Sequence, residues 1–212
     1  MNIRSLNANN VQLALLLNSL AINFQIICLS EIWSTNIQFL TNCLPNYKFQ
    51  YQTCSESRGG GVGIFYNNSF SIKLQNELQI QGDDLKTENL WLELTIDKKE
   101  VYTIGVIYRH PHGNLTKFND IFSNTLQQIQ NRNDIKTCII TGDFNIDLLK
   151  YHENYPTQMF LDNLNASSFI PTIQLPTRIT HQSASLIDNI LVHKKRGKIN
   201  LKKLGQATFI QT

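Results

Sequence analysis

The protein has 212 residues, of which 42% are hydrophobic and 17% are charged, and its 19 basic and 16 acidic residues give a net charge of +3. This composition excludes a wholly disordered chain and a coiled coil, and no apolar run approaches the roughly 20 residues that cross a bilayer. The first ten residues, MNIRSLNANN, lack the basic and apolar regions of a secretory signal peptide. We therefore expect an intracellular protein without a membrane partner.

The spacing of apolar residues predicts alternating helices and strands. In chain order, the predicted elements are a helix at 9–22, strands at 24–29, 62–66, 90–96 and 101–108, a helix at 115–131, a strand at 137–141, a helix around Phe160–Leu164 and a strand at 186–192. A tight turn at 97–100 joins two of the strands, so a purely parallel sheet is not expected. The predicted fold class is α/β, a layered sandwich with helices outside two sheets, in one domain over residues 1–212.

The positive charge is concentrated near the end of the sequence. Six lysine and arginine residues fall between His193 and Lys203, and the rest of the chain is slightly acidic. A basic run on an acidic body is typical of nucleic-acid contact, but a solvated strand and turn would have the same composition. Both interpretations stay open from the sequence alone.

Polar side chains stand where predicted strands end. Glu31 follows one apolar strand, Asp143 and Asn145 follow another, and Asp188 lies inside an apolar run. A carboxylate in such a position is costly to bury unless it binds a metal, a cation or a hydrogen-bond donor. If the segment from Asp143 to Asn145 is extended, both side chains point to the same side. Together these oxygen ligands predict a site for Mg²⁺, with Mn²⁺ as the alternative, although Gly-Asp-x-Asn alone is most often a turn.

Several segments carry a family resemblance over nearly the whole chain. In order they are Asn2-Ile-Arg-Ser-Leu6, Leu29-Ser-Glu-Ile-Trp33, Arg58-Gly-Gly-Gly-Val62, Ile107-Tyr-Arg-His-Pro111, Thr141-Gly-Asp-Phe-Asn-Ile-Asp147, Pro176-Thr-Arg-Ile-Thr180 and Ser185-Leu-Ile-Asp-Asn189. With them the sequence resembles the endonuclease/exonuclease/phosphatase superfamily, and within it the apurinic-endonuclease-like domain of non-LTR (LINE-type) retrotransposons. The resemblance implies a four-layered, DNase I-like α/β sandwich with two mixed sheets flanked by helices.

The resemblance also implies a role for individual residues. Glu31 matches the metal-binding glutamate of the family, and Asn2 an asparagine that shapes the metal and phosphate site. Tyr108 matches a tyrosine that contacts the scissile phosphate. Asp143 matches the aspartate that orients or activates the attacking water, and Asn145 the asparagine that holds the phosphate.

Further residues are implied to support catalysis or to contact nucleic acid. Asp188 matches the aspartate that orients a catalytic histidine. The expected DNA-contacting residues lie in the resembling segments and are Arg58, Arg109, Thr177, Arg178 and Ser185. In the case of the glycine stretch that follows Arg58, a hairpin or bulge entering the next strand is the simpler interpretation.

The catalytic histidine of the family lies in a Ser-Asp-His element that has no match between Asp188 and Thr212. Most of the first strand of the family would precede Met1, so we expect the domain to lack both elements. The five histidines present are expected at the surface: His110, His112, His152, His181 and His193.

The resulting functional prediction is a Mg²⁺-dependent, DNA-nicking endonuclease domain of a retrotransposon-derived protein, acting in the nucleus. A reverse transcriptase domain, absent from this sequence, would be its partner in an intact element. The alternative is a catalytically inactive remnant that binds nucleic acid weakly.

Overall fold

A computed structural model describes residues 1–33, 44–54, 59–82, 84–96 and 100–195. The helices are α1 (Leu6–Ser19), α2 (Leu115–Asn131) and α3 (Tyr155–Ala166), with short 3₁₀ turns at Asn76–Leu78 and Leu148–Lys150. The strands are β1 (Ile26–Ser30), β2 (Tyr47–Gln52), β3 (Val62–Asn67), β4 (Ser71–Leu74), β5 (Thr87–Ile96), β6 (Glu100–Arg109), β7 (Thr137–Asp143), β8 (Ile170–Pro171), β9 (Arg178–Ile179), β10 (Ala184–Ser185) and β11 (Asp188–Lys194). No helix in these ranges has both the length and the apolar character needed to cross a membrane.

The strands form two stacked sheets and a small hairpin. The smaller sheet has the order β1-β3-β2, and the larger has the order β4-β5-β6-β7-β11-β8. Among the described residues, the strand pairs are antiparallel except for β6 and β7, which run parallel and are connected through α2. In the same ranges, β9 and β10 form a separate two-stranded sheet.

Three apolar clusters set the order of the layers. Side chains of β3, including Ile64, pack against Leu92 of β5 and Val106 of β6 between the two sheets. Helices α2 and α3 cover the outer face of the larger sheet through Phe118 and Phe160, where they meet Trp91 and Ile140. Helix α1 covers the outer face of the smaller sheet. The α/β prediction and its arrangement of helices outside two sheets are therefore confirmed.

Two element boundaries differ from the predicted ones, and polar contacts explain both differences. Helix α1 begins at Leu6, three residues before the predicted start, because the Ser5 side chain accepts a hydrogen bond from the Ala8 N–H and caps the helix. Strand β7 continues two residues past its apolar run to include Asp143, because Gly142 and Asp143 keep pairing with β11. The predicted turn at 97–100 falls largely on residues outside the described ranges.

Candidate active site

One row of residues crosses four neighbouring strands of the larger sheet. In the strand register Glu88 lies opposite Tyr108, Tyr108 opposite Asp143, and Asp143 opposite Asp188. Glu31 comes directly after β1 of the smaller sheet. The two sheets thus bring five functional side chains to one end of the sandwich, as expected for strand ends that meet at one edge.

An open pocket lies at this edge. Its lining residues are Asn2, Arg4, Glu31, Tyr108, Pro111, Asp143, Asn145, Arg178, Ile187 and Asp188. Seven of them belong to the segments that carry the family resemblance and were predicted as site residues. The remaining ones are Arg4, Pro111 and Ile187.

Asn2 links the carboxylates of the two sheets. Its side-chain nitrogen donates to Glu31 Oε1 at 2.5 Å and to Asp143 Oδ2 at 3.3 Å. Its side-chain oxygen accepts from the Arg4 N–H at 3.2 Å. Asn2 reaches this position because the chain from Met1 to Ile3 pairs in parallel with the end of β1 at Ser30. Asn2 therefore bridges the two carboxylates through its amide nitrogen.

Four residues at or beside the pocket have a strained backbone. Arg4, Ser5, Glu31 and Asn145 all have positive φ angles, at 43°, 83°, 55° and 49°. Such angles cost on the order of 1–3 kcal/mol each for residues other than glycine and are kept where the surroundings impose them. At Glu31 the backbone is imposed by a hydrogen bond from the Ser5 N–H to the Glu31 carbonyl, 2.9 Å long.

Burial and mutual repulsion disfavour ionised carboxylates in this row. Burial, and next the charge of Asp188, raise the pKa of Asp143 to about 7, against the opposing effect of hydrogen bonds from Asn2 and the Asn145 N–H. Burial also raises the pKa of Asp188, although a hydrogen bond from Thr177 partly offsets it. Burial and the neighbouring charges of Glu31 and Asp143 raise the pKa of Tyr108. Tyr108 therefore keeps its proton at neutral pH, while Asp143 is poised to exchange one.

Asn145 differs from the extended geometry that the sequence suggested. Strand β7 ends at Asp143, and the chain then turns through Asn145, whose backbone N–H donates to Asp143 Oδ1 at 3.1 Å. The Asn145 side chain donates one N–H to the Arg109 carbonyl at 2.8 Å. Both Asp143 and Asn145 still line the pocket, so the turn and not an extended strand brings them together.

Arg109 is buried and does not have the geometry of a nucleic-acid contact. It is 2% exposed, and its guanidinium donates to the carbonyls of Phe144, Asn145 and Gly113 at 2.7, 2.8 and 3.0 Å. This corrects the predicted DNA contact, because the donors that would bind phosphate are used inside the protein. Arg109 instead fixes the turn that carries Asp143 and Asn145.

Replacing Arg109 by alanine is expected to lower the free energy of unfolding by about 3–5 kcal/mol, since each buried acceptor left without a donor costs about 1–3 kcal/mol. Urea unfolding of the Arg109→Ala variant measures this loss. Lys136→Ala removes an exposed positive charge instead and is the matched control, with an expected change within about 0.5 kcal/mol. A loss below about 1 kcal/mol for Arg109→Ala would contradict the structural role.

The other predicted nucleic-acid contacts occupy different environments. Arg178 is exposed and lines the pocket, and Ser185 pairs with it in the β9–β10 hairpin. Thr177 is buried, and its hydroxyl accepts from the N–H groups of Ile187 and Asp188 at 3.2 and 3.1 Å. Thr177 therefore positions Asp188 and is not placed to contact DNA. Arg58 lies outside the described residues.

His193 is buried, so the surface prediction is wrong for this histidine. It is 2% exposed, stacks on Phe169 with ring centroids 5.0 Å apart, and shares a hydrogen bond of 3.2 Å between Nδ1 and the Ser168 carbonyl. His112, His152 and His181 are exposed and His110 is half-buried. Among the described residues that line the pocket there is no histidine.

The donor chemistry of the pocket fits a hard divalent cation. Glu31 offers carboxylate oxygens at the pocket wall, and the nearby Glu88 Oε2 is buried with no hydrogen-bond partner among the described residues. Within the described ranges, no three His, Cys, Asp or Glu side chains converge closely enough to hold an ion on their own. This combination suits Mg²⁺, which is usually bound by one or two carboxylates together with water and substrate phosphate.

Two charged residues of this region are absent from the site predicted from the sequence. Arg4 lies within a resembling segment but was assigned no role, and it lines the pocket with an exposed side chain. Glu88 precedes the strand predicted at 90–96. The predicted turn at 97–100 contains the signal that identifies Glu88. If the antiparallel pairing next to this turn, Ile96 with Glu100, is continued along both strands, Glu88 comes to lie opposite Tyr108.

Comparisons with known proteins bear on the family and the fold. The model of the Endonuclease/Exonuclease/phosphatase family matches residues 1–201. No curated protein matches the chain.

Three solved structures illustrate the shared fold. The endonuclease domain of TRAS1, a telomere-specific non-LTR retrotransposon, has a TM-score of 0.64 at 10% identity, covering 90% of this chain and 81% of that one. The 3′-5′ exonuclease NExo from Neisseria meningitidis has a TM-score of 0.65 at 18% identity, covering 90% and 84%. D. rerio TDP2, complexed with a single-strand DNA product, has a TM-score of 0.63 at 12% identity, covering 91% and 81%. At these identities the similarity establishes the fold.

Proposed function

Since this chain belongs to the endonuclease/exonuclease/phosphatase family, we propose that it is a divalent-metal-dependent phosphodiesterase that nicks DNA and leaves a 3′-hydroxyl. The observation that carries the proposal is the Asn2 amide, which joins Glu31 of one sheet to Asp143 of the other inside an open pocket. A purely structural contact would not need two buried, mutually repelling carboxylates, Asp143 and Asp188, at the pocket wall.

Asp143 has the position and proton affinity of a general base. Its pKa of about 7 lets it lose a proton near neutral pH and accept one from a water molecule that attacks phosphorus. A new P–O bond then forms, and the bond from phosphorus to the 3′ oxygen breaks. The 3′ oxygen leaves with the bonding electron pair and takes up a proton from solvent, which yields a 3′-hydroxyl and a 5′-phosphate.

Tyr108 and Asn145 provide neutral donors at the pocket. The raised pKa of Tyr108 keeps its hydroxyl protonated. This hydroxyl donates its one hydrogen bond to Glu31, so it becomes a donor to a phosphate oxygen when Glu31 turns to a cation. Asn145 uses one N–H on the Arg109 carbonyl, and an amide carries a second N–H that is suited to a phosphate oxygen. Donors held in place before the reaction stabilise the charge that grows on phosphate oxygens.

Glu31, oriented by Asn2 and Tyr108, would hold Mg²⁺ or Mn²⁺ beside the phosphate. Such an ion, when bound, supplies Lewis acidity that neutralises phosphate charge. Asp188 is held by Thr177 next to Asp143, and its negative charge helps to keep the proton affinity of Asp143 high.

DNA is the proposed substrate. Arg178 and Arg4 place exposed guanidinium groups at the pocket, where they can offset the acidic wall and bind phosphate. Similarity to the TRAS1 endonuclease domain supports a retrotransposon-derived origin, in which a nuclear DNA target and a reverse transcriptase partner are the proposed context.

Nicking of supercoiled plasmid tests the proposed function. The purified chain is expected to convert supercoiled DNA to the open circular form with Mg²⁺ and to lose this activity in EDTA. A DNA polymerase should extend the nicks directly, because a 3′-hydroxyl is its primer.

The inactive remnant predicts a different result. A folded chain that leaves the plasmid intact in both Mg²⁺ and Mn²⁺, and binds DNA only weakly and in a salt-dependent manner, would contradict the proposal. Nicks that a polymerase cannot extend without prior phosphatase treatment would contradict the assigned bond cleavage.

A further inference from the structure

We infer that Glu88, with the glycines that make room for it, is a positioning residue that aligns Glu31 and Tyr108 and strengthens cation binding at Glu31. The inference rests on the proposed function. It assigns a role to the glycine stretch after Arg58, which the sequence suggested was only a hairpin or bulge.

Glu88 occupies the outer end of the row that crosses the larger sheet. It lies opposite Tyr108 in the pairing of β5 with β6, and Tyr108 leads on to Asp143 and Asp188. The negative charge of Glu88 acts on both neighbours: it helps to raise the pKa of Tyr108, and it repels the carboxylate of Glu31. Glu88 is not a pocket-wall residue, so it acts on the site through these two neighbours.

The glycine stretch fits closely around the Glu88 carboxylate. Gly60 has a φ of +89°, and a Cβ at this position would lie 2.9 Å from Glu88 Oε1. The Gly61 backbone N–H and the Cys54 side chain form hydrogen bonds with the Glu88 carboxylate. A side chain at residue 60 would therefore displace the carboxylate, which is the part most easily moved.

The same glycines bind the segment that follows Glu31. The Ile32 N–H donates to the Gly61 carbonyl at 3.3 Å, and the Trp33 N–H donates to the Gly60 carbonyl at 3.0 Å. A Cβ on Gly61 would lie 2.8 Å from Ile32 Cγ1. The glycines therefore connect the Glu88 carboxylate to the backbone that sets the position of Glu31.

One oxygen of Glu88 has no hydrogen-bond partner in the part of the chain that the structure describes. Oε2 is buried and makes no hydrogen bond to any described residue. A buried carboxylate oxygen without a donor is costly, and such groups are commonly retained where they serve a cation or a catalytic group. A purely structural carboxylate would be expected to use both oxygens, as buried polar groups generally do.

The test compares Glu88→Gln with Glu93→Gln. Both variants remove a carboxylate from β5, but Glu93 lies five residues along the strand and bonds to Gln75. Carboxylates that orient metal ligands typically change metal affinity by about 10–100-fold when mutated. We expect Glu88→Gln to raise the Mn²⁺ dissociation constant, measured by calorimetry, and the Mg²⁺ concentration for half-maximal nicking by about 10-fold or more.

The split between kinetic parameters distinguishes positioning from misfolding. Saturating Mg²⁺ should restore most of the Glu88→Gln rate, and the KM for DNA should stay near that of the wild type. Glu93→Gln should keep both metal constants within about 2-fold, because surface changes remote from the site have small effects.

The glycine is tested with a double-mutant cycle. Gly60→Ala should weaken Mn²⁺ binding like Glu88→Gln, because its methyl group displaces the carboxylate. The Gly60→Ala/Glu88→Ala double variant should bind Mn²⁺ no more weakly than Glu88→Ala alone, since residues in contact do not act additively.

The outcomes separate this inference from the proposed function. An active wild type with unchanged metal constants in Glu88→Gln overturns the inference alone, as does an additive double variant. A folded wild type that neither nicks DNA nor binds Mn²⁺ overturns the proposed function, and the inference with it.

Discussion

Replacing Asp143 by asparagine is expected to lower the nicking rate by about 10²–10⁴-fold, the usual contribution of a general base. Asparagine keeps the shape of the side chain and can still bond to the Asn2 amide through its oxygen, but it cannot accept a proton from water. Single-turnover cleavage of an end-labelled duplex at saturating Mg²⁺ measures the loss.

The pH dependence should identify the same carboxylate. A general base works only when it is deprotonated, and Asp143 has a pKa of about 7. The wild-type rate should therefore rise with pH up to about 7 and then level off. The residual rate of Asp143→Asn should lack this rise. If Asp143→Asn instead keeps the wild-type pH profile and a rate within 10-fold of the wild type, Asp143 is not the general base.

The same substitution is expected to stabilise the metal-free fold at alkaline pH. Asp143 binds its proton more tightly in the folded protein, at a pKa of about 7, than in the unfolded chain, where the value is 3.8. Between these pH values the folded state holds more protons, so the free energy of unfolding falls as pH rises. At pH 8 the full cost of ionising the buried Asp143 lowers the free energy of unfolding. Asp143→Asn should remove roughly 2–4 kcal/mol of this cost.

Urea unfolding in EDTA between pH 4 and pH 8 measures this effect. The Asp143→Asn variant should gain stability over the wild type as pH rises and should differ little at pH 4. Glu153 is exposed, so Glu153→Gln should follow the wild type throughout and is the matched control. An Asp143→Asn variant less stable than the wild type at pH 8 would show instead that the Asp143 charge stabilises the fold.

These opposite effects express a common relation between function and stability. Asp143 and Asp188 are placed side by side at a buried edge, where burial raises the pKa of both carboxyls and the charge of Asp188 raises that of Asp143 further. The fold tolerates this cost because the surrounding cores are large and apolar. Removing the Asp143 carboxylate should therefore raise the free energy of unfolding while it removes the general base.

The residues of the candidate site came from two kinds of sequence signal. Glu31, Asp143 and Asp188 each stand beside an apolar run, whereas Tyr108 and Asn2 were implied by the family resemblance. Such patterns indicate which residues lie at the end of a strand, and two stacked sheets bring several strand ends together. The layer order followed from the same alternation of helices and strands.

Other features depend on tertiary contacts that no local pattern contains. Arg109 looks like a surface cation in the sequence, but its guanidinium donates to the carbonyls of Phe144 and Asn145, which are distant in the chain, and to that of nearby Gly113. His193 looks like the polar end of a strand, but Phe169 covers its ring. The strand predicted at 90–96 leaves out Glu88, because Thr87, Glu88 and Asn89 are polar although they pair with β6.

The decisive measurement is the Mg²⁺ dependence of duplex cleavage by the wild type and by Glu31→Gln, with Glu153→Gln as control. We expect cleavage that requires Mg²⁺ in the wild type and in the control. Glu31→Gln should cleave at least about 100-fold more slowly at the same Mg²⁺ concentration, because the carboxylate that holds the ion is gone. Equal rates for the wild type and Glu31→Gln, with the same dependence on Mg²⁺, would contradict the assignment of this pocket as the active site.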